Sequence, residues 1–120
     1  MADKESLDAL LPLQPASFHI LLSLADEDRH GYAIMLDVAQ RTNNQVRLSA
    51  GTLYRSIQRM QEQGLIVETR VRPAPEEDDE RRRYYRITPL GKAVAHAEVR
   101  RFDSLLKMAR ACGVVPRTAG

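Results

Sequence analysis

The stretch Leu48-Ser49-Ala50-Gly51-Thr52-Leu53-Tyr54-Arg55-Ser56-Ile57-Gln58-Arg59-Met60-Gln61-Glu62-Gln63-Gly64-Leu65-Ile66 constrains the fold more than any other part of this chain. It reads as one helix with a start, two faces and a stop. The Ser49 hydroxyl suits an N-cap, where it accepts from an orphan amide of the first turn. Leu53, Ile57 and Met60 recur at steps of four and three, which predicts one buried stripe. Gly64 stands where a left-handed cap residue closes a helix. The opposite face carries Ser49, Thr52, Arg55, Ser56 and Arg59, flanked by Tyr54 and Gln58, and meets no acid before Glu62. Hydroxyls, amides and guanidiniums suit phosphates and base edges; an ordinary solvated helix surface is the plainer alternative.

A chain of 120 residues holds one domain with a real core and is too short for two ordinary ones. Net charge is only +2, so charge placement matters more than its sum. Arg41, Arg47, Arg55, Arg59, Arg70 and Arg72 meet only Glu62 and Glu68 within their span, whereas Glu76-Glu77-Asp78-Asp79-Glu80 form an acidic block. A basic face is therefore compatible with a small net charge. The N-terminus has no charged-then-apolar signal layout, and no apolar run reaches membrane-spanning length. The expectation is a cytoplasmic protein with no membrane partner. The single cysteine, Cys112, forms no internal disulfide. His19, His30 and His96 lack partners at ligand spacing, so neither a metal nor another cofactor is expected. No nucleophile–base pattern, glycine-rich phosphate loop or catalytic carboxylate pair appears, which argues against an enzyme.

In chain order, residues 1–14 read as an arm, either frayed or packed on a partner. Pro15 suits a first helical turn, and Phe18, Leu21, Leu22 and Ala25 follow at helical spacing. Asp26 to Gly31 read as a polar turn. A second helix from about Tyr32 shows Tyr32, Met35, Leu36 and Ala39 on one face, and Thr42-Asn43-Asn44 end it. Gln45 to Leu48 read as a linker or brief strand. The second and third helices thus have helix-turn-helix spacing. Leu65 to Arg72 alternate and are rich in β-branched residues, as expected of a strand. Pro73-Ala74-Pro75 and the acids break it, and Arg81 to Ile87 read as a return strand on which Tyr84 and Tyr85 face opposite ways. Thr88-Pro89 start a final helix running to about Cys112, with 113–120 a flexible tail.

These elements predict a mainly α fold with a small β-hairpin: a winged helix-turn-helix over 15–88 and a long C-terminal dimerisation helix over 89–112. That last helix has an apolar stripe at Ala95, Val99, Phe102, Leu106 and Ala109, with Leu105 and Cys112 adjoining. Either a second copy covers it or it folds back on the first helix; the homodimer is favoured.

Arg29-His30-Gly31-Tyr32, Leu48 to Tyr54, Gly64-Leu65-Ile66, and Arg82-Arg83-Tyr84-Tyr85-Arg86-Ile87-Thr88 with Gly91 stand in the order and at the intervals of the PadR transcriptional regulators, which this chain resembles over about residues 15–110. The resemblance is to the short-tailed members, with a single helix after the wing. It implies a homodimeric DNA-binding protein, usually a repressor, with the third helix (about 49–63) in the major groove and the wing (about 65–87) on flanking DNA. Ala50 and Arg55 occupy positions where the family often has proline, and the acidic wing tip departs from it too. Either Glu76 to Glu80 loop away while Arg81, Arg82 and Arg83 touch the duplex, or the wing does not insert.

The expected DNA-binding residues are Tyr32, Ser49, Thr52, Tyr54, Arg55, Arg59, Arg81, Arg82 and Arg83, with Tyr32 as readily a half-buried core residue. Dimerisation is expected through Val99, Phe102, Leu105, Leu106 and Ala109. The leading function is a transcriptional repressor reading a palindromic double-stranded operator. The alternative is a winged-helix protein-binding module without useful DNA affinity. A small-molecule effector between the dimer's helices is left open.

Overall fold

The computed structural model describes residues 7–70 and 82–114. Its elements are α1 (Pro15–Leu24), β1 (Arg29–His30), α2 (Gly31–Arg41), α3 (Ala50–Glu62), β2 (Ile66–Thr69), β3 (Tyr84–Ile87) and α4 (Pro89–Ala111). The fold is mainly helical with a small antiparallel sheet. The expected hairpin is there, with Ile66 opposite Ile87 and Thr69 opposite Tyr84. A third strand was not expected. Arg29 and His30, read as part of a turn, pair with Tyr85 and Tyr84, giving the order β1-β3-β2. A two-residue strand has no periodicity of its own; only its partner reveals it.

Local chemistry set most boundaries as expected. Ser49 has extended backbone and its Oγ accepts from the Thr52 amide at 3.1 Å. At the other end Gly64 takes φ +77°, the Leu65 amide reaches Met60 O at 2.9 Å and the Gly64 amide reaches Gln61 O at 3.1 Å. Those two bonds are a Schellman closure. Asn43 does the same for α2 at φ 52°, with the Asn44 amide on Ala39 O. The Thr88 hydroxyl accepts from Gly91 N at 3.0 Å and donates back to Gly64 O at 2.6 Å, tying the start of α4 to the end of α3. Gln45 to Leu48 form no strand. The Val46 amide is taken by Thr42 Oγ1 at 3.0 Å, a local bond in place of a ladder.

The core gathers Ile20, Leu21 and Leu24 of α1, Ile34 and Val38 of α2, and Leu53, Ile57 and Met60 of α3. Leu65, Ile66, Tyr85, Ile87 and Val94 complete it. Truncating one such side chain to alanine costs about 2 to 5 kcal/mol. The α3 stripe is as expected; two other faces are not. On α1 the buried positions are Ser17, Ile20, Leu21, Ser23 and Leu24, while Phe18 and Leu22 are only half-buried and Ala25 is exposed. On α2 Ile34 and Val38 point inward, whereas Tyr32 and Leu36 are exposed. Tyr84 and Tyr85 do not divide between inside and outside: both are buried, because β3 is the central strand and His30 of β1 lies edge-on over Tyr84 at 5.3 Å.

Residues 7–13 pack on their own chain. Leu7, Leu10, Leu11 and Leu13 rest against the core, and the Leu13 amide donates to Glu98 Oε2 at 2.9 Å. Glu98 is fully buried on α4 and also accepts from Arg101 Nε at 2.5 Å. Burial works against its charge, but the Arg101 guanidinium and the Leu13 amide outweigh that and hold its carboxyl below the usual range.

Candidate nucleic-acid interface

The outward face of α3 is built by the same spacing that builds the core. With Leu53, Ile57 and Met60 inward, Tyr54, Arg55, Gln58 and Arg59 must project outward. Ser56 was placed on that face and is instead buried, because it shares a side of the helix with Met60 and Leu53. Ser49 and Thr52 form a closed pair: Ser49 Oγ takes the Thr52 amide and donates to Thr52 Oγ1 at 3.1 Å. The Thr52 hydroxyl proton is left over for an external acceptor.

Arginine partners separate this face from the rest of the molecule. Arg29 bonds Ser23 O at 2.8 Å and contacts Asp26, Glu27 and Asp37. Arg41 is bound by Asp37 at 2.8 Å and Asp26 at 3.0 Å, so it drops out of the basic stretch. Arg86 grips Asp28 with two nitrogens, and Arg101 holds Glu98. These pairings push Arg41, Arg86 and Arg101 further up from the ordinary arginine value. By contrast Arg47, Arg55, Arg59 and Arg70 are exposed, and none makes a hydrogen bond or ion pair with a described residue.

Beside α3 lies an open depression of about 350 Å³ lined by His30, Gly31, Tyr32, Tyr54, Arg82, Arg83 and Tyr85. Four of the expected contact residues, Tyr32, Tyr54, Arg82 and Arg83, therefore meet at one place. Tyr32 is 58% exposed, so it is not a core tyrosine. Tyr54 crosses from α3 to the start of α2, where a Cβ on Gly31 would come within 2.5 Å of its hydroxyl. Arg83 reaches Glu68 at 3.7 Å across the hairpin. Burial, then Glu68 and Tyr54, push the Tyr85 phenol up, so it stays protonated. Arg81 and Glu76 to Glu80 lie outside the described residues.

His30 was missed as a site residue. Its Nδ1 caps α2 by accepting from the Ala33 amide at 3.1 Å, and its Nε2 lies 3.3 Å from Arg82 Nη1. Histidine is an uncommon cap, and only the pairing of β1 with β3 brings Arg82 to it. Among the described residues no three His, Cys, Asp or Glu side chains gather as metal ligands, and no helix is long and apolar enough to cross a membrane.

The model of the Transcriptional regulator PadR-like family matches residues 20–97, well over half of the chain. The chain belongs to that family. The transcriptional regulator Rv3488 of Mycobacterium tuberculosis is 34% identical over 90 residues, covering 74% of this chain and 77% of its own. An uncharacterised protein X of Lysinibacillus sphaericus is 38% identical over 74 residues, 62% of this chain; the match spans 65% of that protein, a little under two thirds of its length. Among solved structures, a transcriptional regulator from Clostridium thermocellum superposes with a TM-score of 0.68 at 22% identity, over 92% of this chain and 97% of that one. The Bacillus subtilis PadR in complex with operator DNA superposes with a TM-score of 0.61 at 17% identity, over 73% of this chain and 48% of that one. PadR-family proteins are DNA-binding transcription regulators, not enzymes.

Proposed function

We propose that the protein is a homodimeric, sequence-specific repressor of the cytoplasm, with α3 in the major groove and the base of the wing on flanking DNA. Residues 15–88 form its DNA-binding domain and 89–112 its dimerisation helix. The observation that carries the reading is the α3 face, where Arg55 and Arg59 stand without partners among the described residues beside Ser49, Thr52 and Tyr54. Tyr32, Arg82 and Arg83 border the same face, and Arg81 belongs with them by sequence. The family's Bacillus subtilis PadR binds operator DNA, which supports the assignment of a duplex as ligand.

The dimer is supported by the far end of α4. Val99, Phe102, Leu105 and Leu106 are each 41 to 51% exposed, and Ala109 lies on the same side. Folding back on α1 covers little of this: Phe18 meets Phe102 at a ring distance of 5.3 Å, and the rest stays open. An apolar groove of about 430 Å³ between Leu22, Ala25, Ile87, Ala95 and Val99 extends the same surface. A contiguous apolar patch of this kind marks an association site. Two copies joined there would present two α3 helices to half-sites about 34 Å apart.

The test is sedimentation together with a salt titration of duplex binding. A dimer whose affinity falls steeply with salt is expected, since each neutralised phosphate releases a counterion. A monomer, or binding indifferent to salt, would favour the protein-binding module instead. Replacing Leu106 by Glu should give a folded monomer that loses about 100-fold or more of operator affinity with its second half-site.

A further inference from the structure

Not every exposed guanidinium on this molecule can read a base; where its head group lies decides. A helical side chain leans toward the N-terminus of its helix and covers the preceding turn. In α3 this places the Arg55 guanidinium over Gly51, with Nη1 3.3 Å from where a Cβ of residue 51 would sit. The head group thus lies at the first turn of α3, the end from which a recognition helix contacts base edges. No described residue holds it there by a hydrogen bond or ion pair, and Ser49 and Thr52 are bonded to each other. The nearest acid on the helix, Glu62, is two turns away. Arg59 starts one turn further from the leading end, and Arg47 precedes the helix.

Resting on the operator-binding function proposed above, we infer that Arg55 is a specificity-determining residue that reads a guanine in each operator half-site. A planar fork of N–H donors finds one matching pair of acceptors on a base edge in the major groove, O6 and N7 of guanine. An arginine at the leading end of α3 with no carboxylate partner among the described residues is a fork awaiting such a pair. Gly51 has no side chain to crowd the guanidinium, whose Cζ lies 3.9 Å from where a Cβ would be.

The experiment is selection from random duplex DNA at near-physiological salt with wild type, Arg55→Ala and Arg55→Gln, each first checked for an unchanged melting midpoint. Wild type should enrich a two-fold symmetric site with a guanine at one fixed position of each half. Changing that guanine in one half-site should weaken binding about 10- to 100-fold. Arg55→Ala should leave that position unselected while the others persist. Arg55→Gln should move it toward adenine, the base a carboxamide pairs with. A wild-type site without a fixed guanine, or the same guanine selected by both variants, overturns the inference and leaves the operator reader standing. No enriched site for wild type overturns the operator reader, and this inference with it.

Discussion

The two sides of this molecule use arginine in opposite ways. Around α1, β1, the end of α2 and the middle of α4, Arg29, Arg41, Arg86 and Arg101 each meet a carboxylate. On α3 and beside it, Arg47, Arg55, Arg59 and Arg70 meet none among the described residues. The residue type is the same; the difference lies in the neighbours supplied. Acids on the first side come from Asp26-Glu27-Asp28, Asp37 and Glu98, whereas α3 carries no acid before Glu62. A guanidinium held by close or several carboxylate contacts is part of the scaffold and gains little from an added anion; Arg83, with one contact to Glu68 at 3.7 Å, is not held in that way. An unpaired one keeps its full charge for a ligand and contributes little to folding. The same side chain on the two sides should therefore fail in two different assays.

The largest effect should come from removing both free cations of α3. Arg55→Ala together with Arg59→Ala is expected to weaken duplex binding at least about 100-fold, at about 1 to 3 kcal/mol for each lost contact. Its unfolding midpoint should stay at the wild-type value, as for other surface substitutions away from structural partners. Gel-shift titration and a urea melt on the same preparation measure both. A large loss of stability would mean that these arginines belong to the scaffold after all.

Next comes the scaffold's deepest charge. Glu98→Ala leaves the Leu13 amide without its acceptor and the Arg101 guanidinium without its partner, and should cost about 2 to 3 kcal/mol in a urea melt. The Glu98 carboxyl is held below its ordinary value near 4.5. Its contribution is therefore complete above that value and is lost as pH falls through the folded pKa. Stability of the wild type should decline below about pH 4.5, and Glu98→Gln should flatten part of that decline. An unchanged acid limb would remove Glu98 from the account.

The same contrast explains which features could be read from the sequence. Ser49, Gly64 and Thr88 were legible because a cap is decided within four residues. The α3 stripe was legible because the helix has one apolar side. Faces on α1 and α2 were misassigned where both sides are apolar: Phe18 and Leu22 flank α4 instead of entering the core, and Ile34 and Val38 take the places given to Tyr32 and Leu36. Glu98 was invisible as a clamp, since the amide it binds is 85 positions away. His30 and Tyr84 were misread together, because a two-residue strand becomes evident only beside its partner. The outward placement of Tyr54, Arg55 and Arg59 on α3 followed from periodicity, while the meeting of Tyr54 with Tyr32, Arg82 and Arg83 needed the sheet.

A smaller effect lies where the two sides meet. A methyl group at position 31 would fall 2.5 Å from the Tyr54 hydroxyl and 2.9 Å from Cζ, the far end of a side chain that is half exposed and able to swing away. Gly31→Ala should therefore cost little stability, with the better helix propensity of alanine offsetting about 1 kcal/mol of any strain. Displacing Tyr54 from the depression it shares with Tyr32 and Arg82 should nevertheless weaken duplex binding, by roughly 10-fold if one contact is lost. Equal binding by Gly31→Ala and wild type would show that Tyr54 does not touch DNA and that glycine serves packing alone.

The smallest effect is the sharpest control. Arg41 sits in the same basic stretch of sequence as Arg55 and Arg59, and composition alone gives it the same role. Asp37 and Asp26 hold it from two sides, and its exposed ion pairs are screened by solvent. Arg41→Ala should leave duplex affinity and the slope of its salt dependence at wild-type values, with a midpoint shift near the resolution of the melt. One phosphate contact fewer would lower that slope by about one. Such a drop for Arg41→Ala would mean that DNA competes successfully with both carboxylates, and that pairing in the free protein does not sort scaffold arginines from ligand-binding ones.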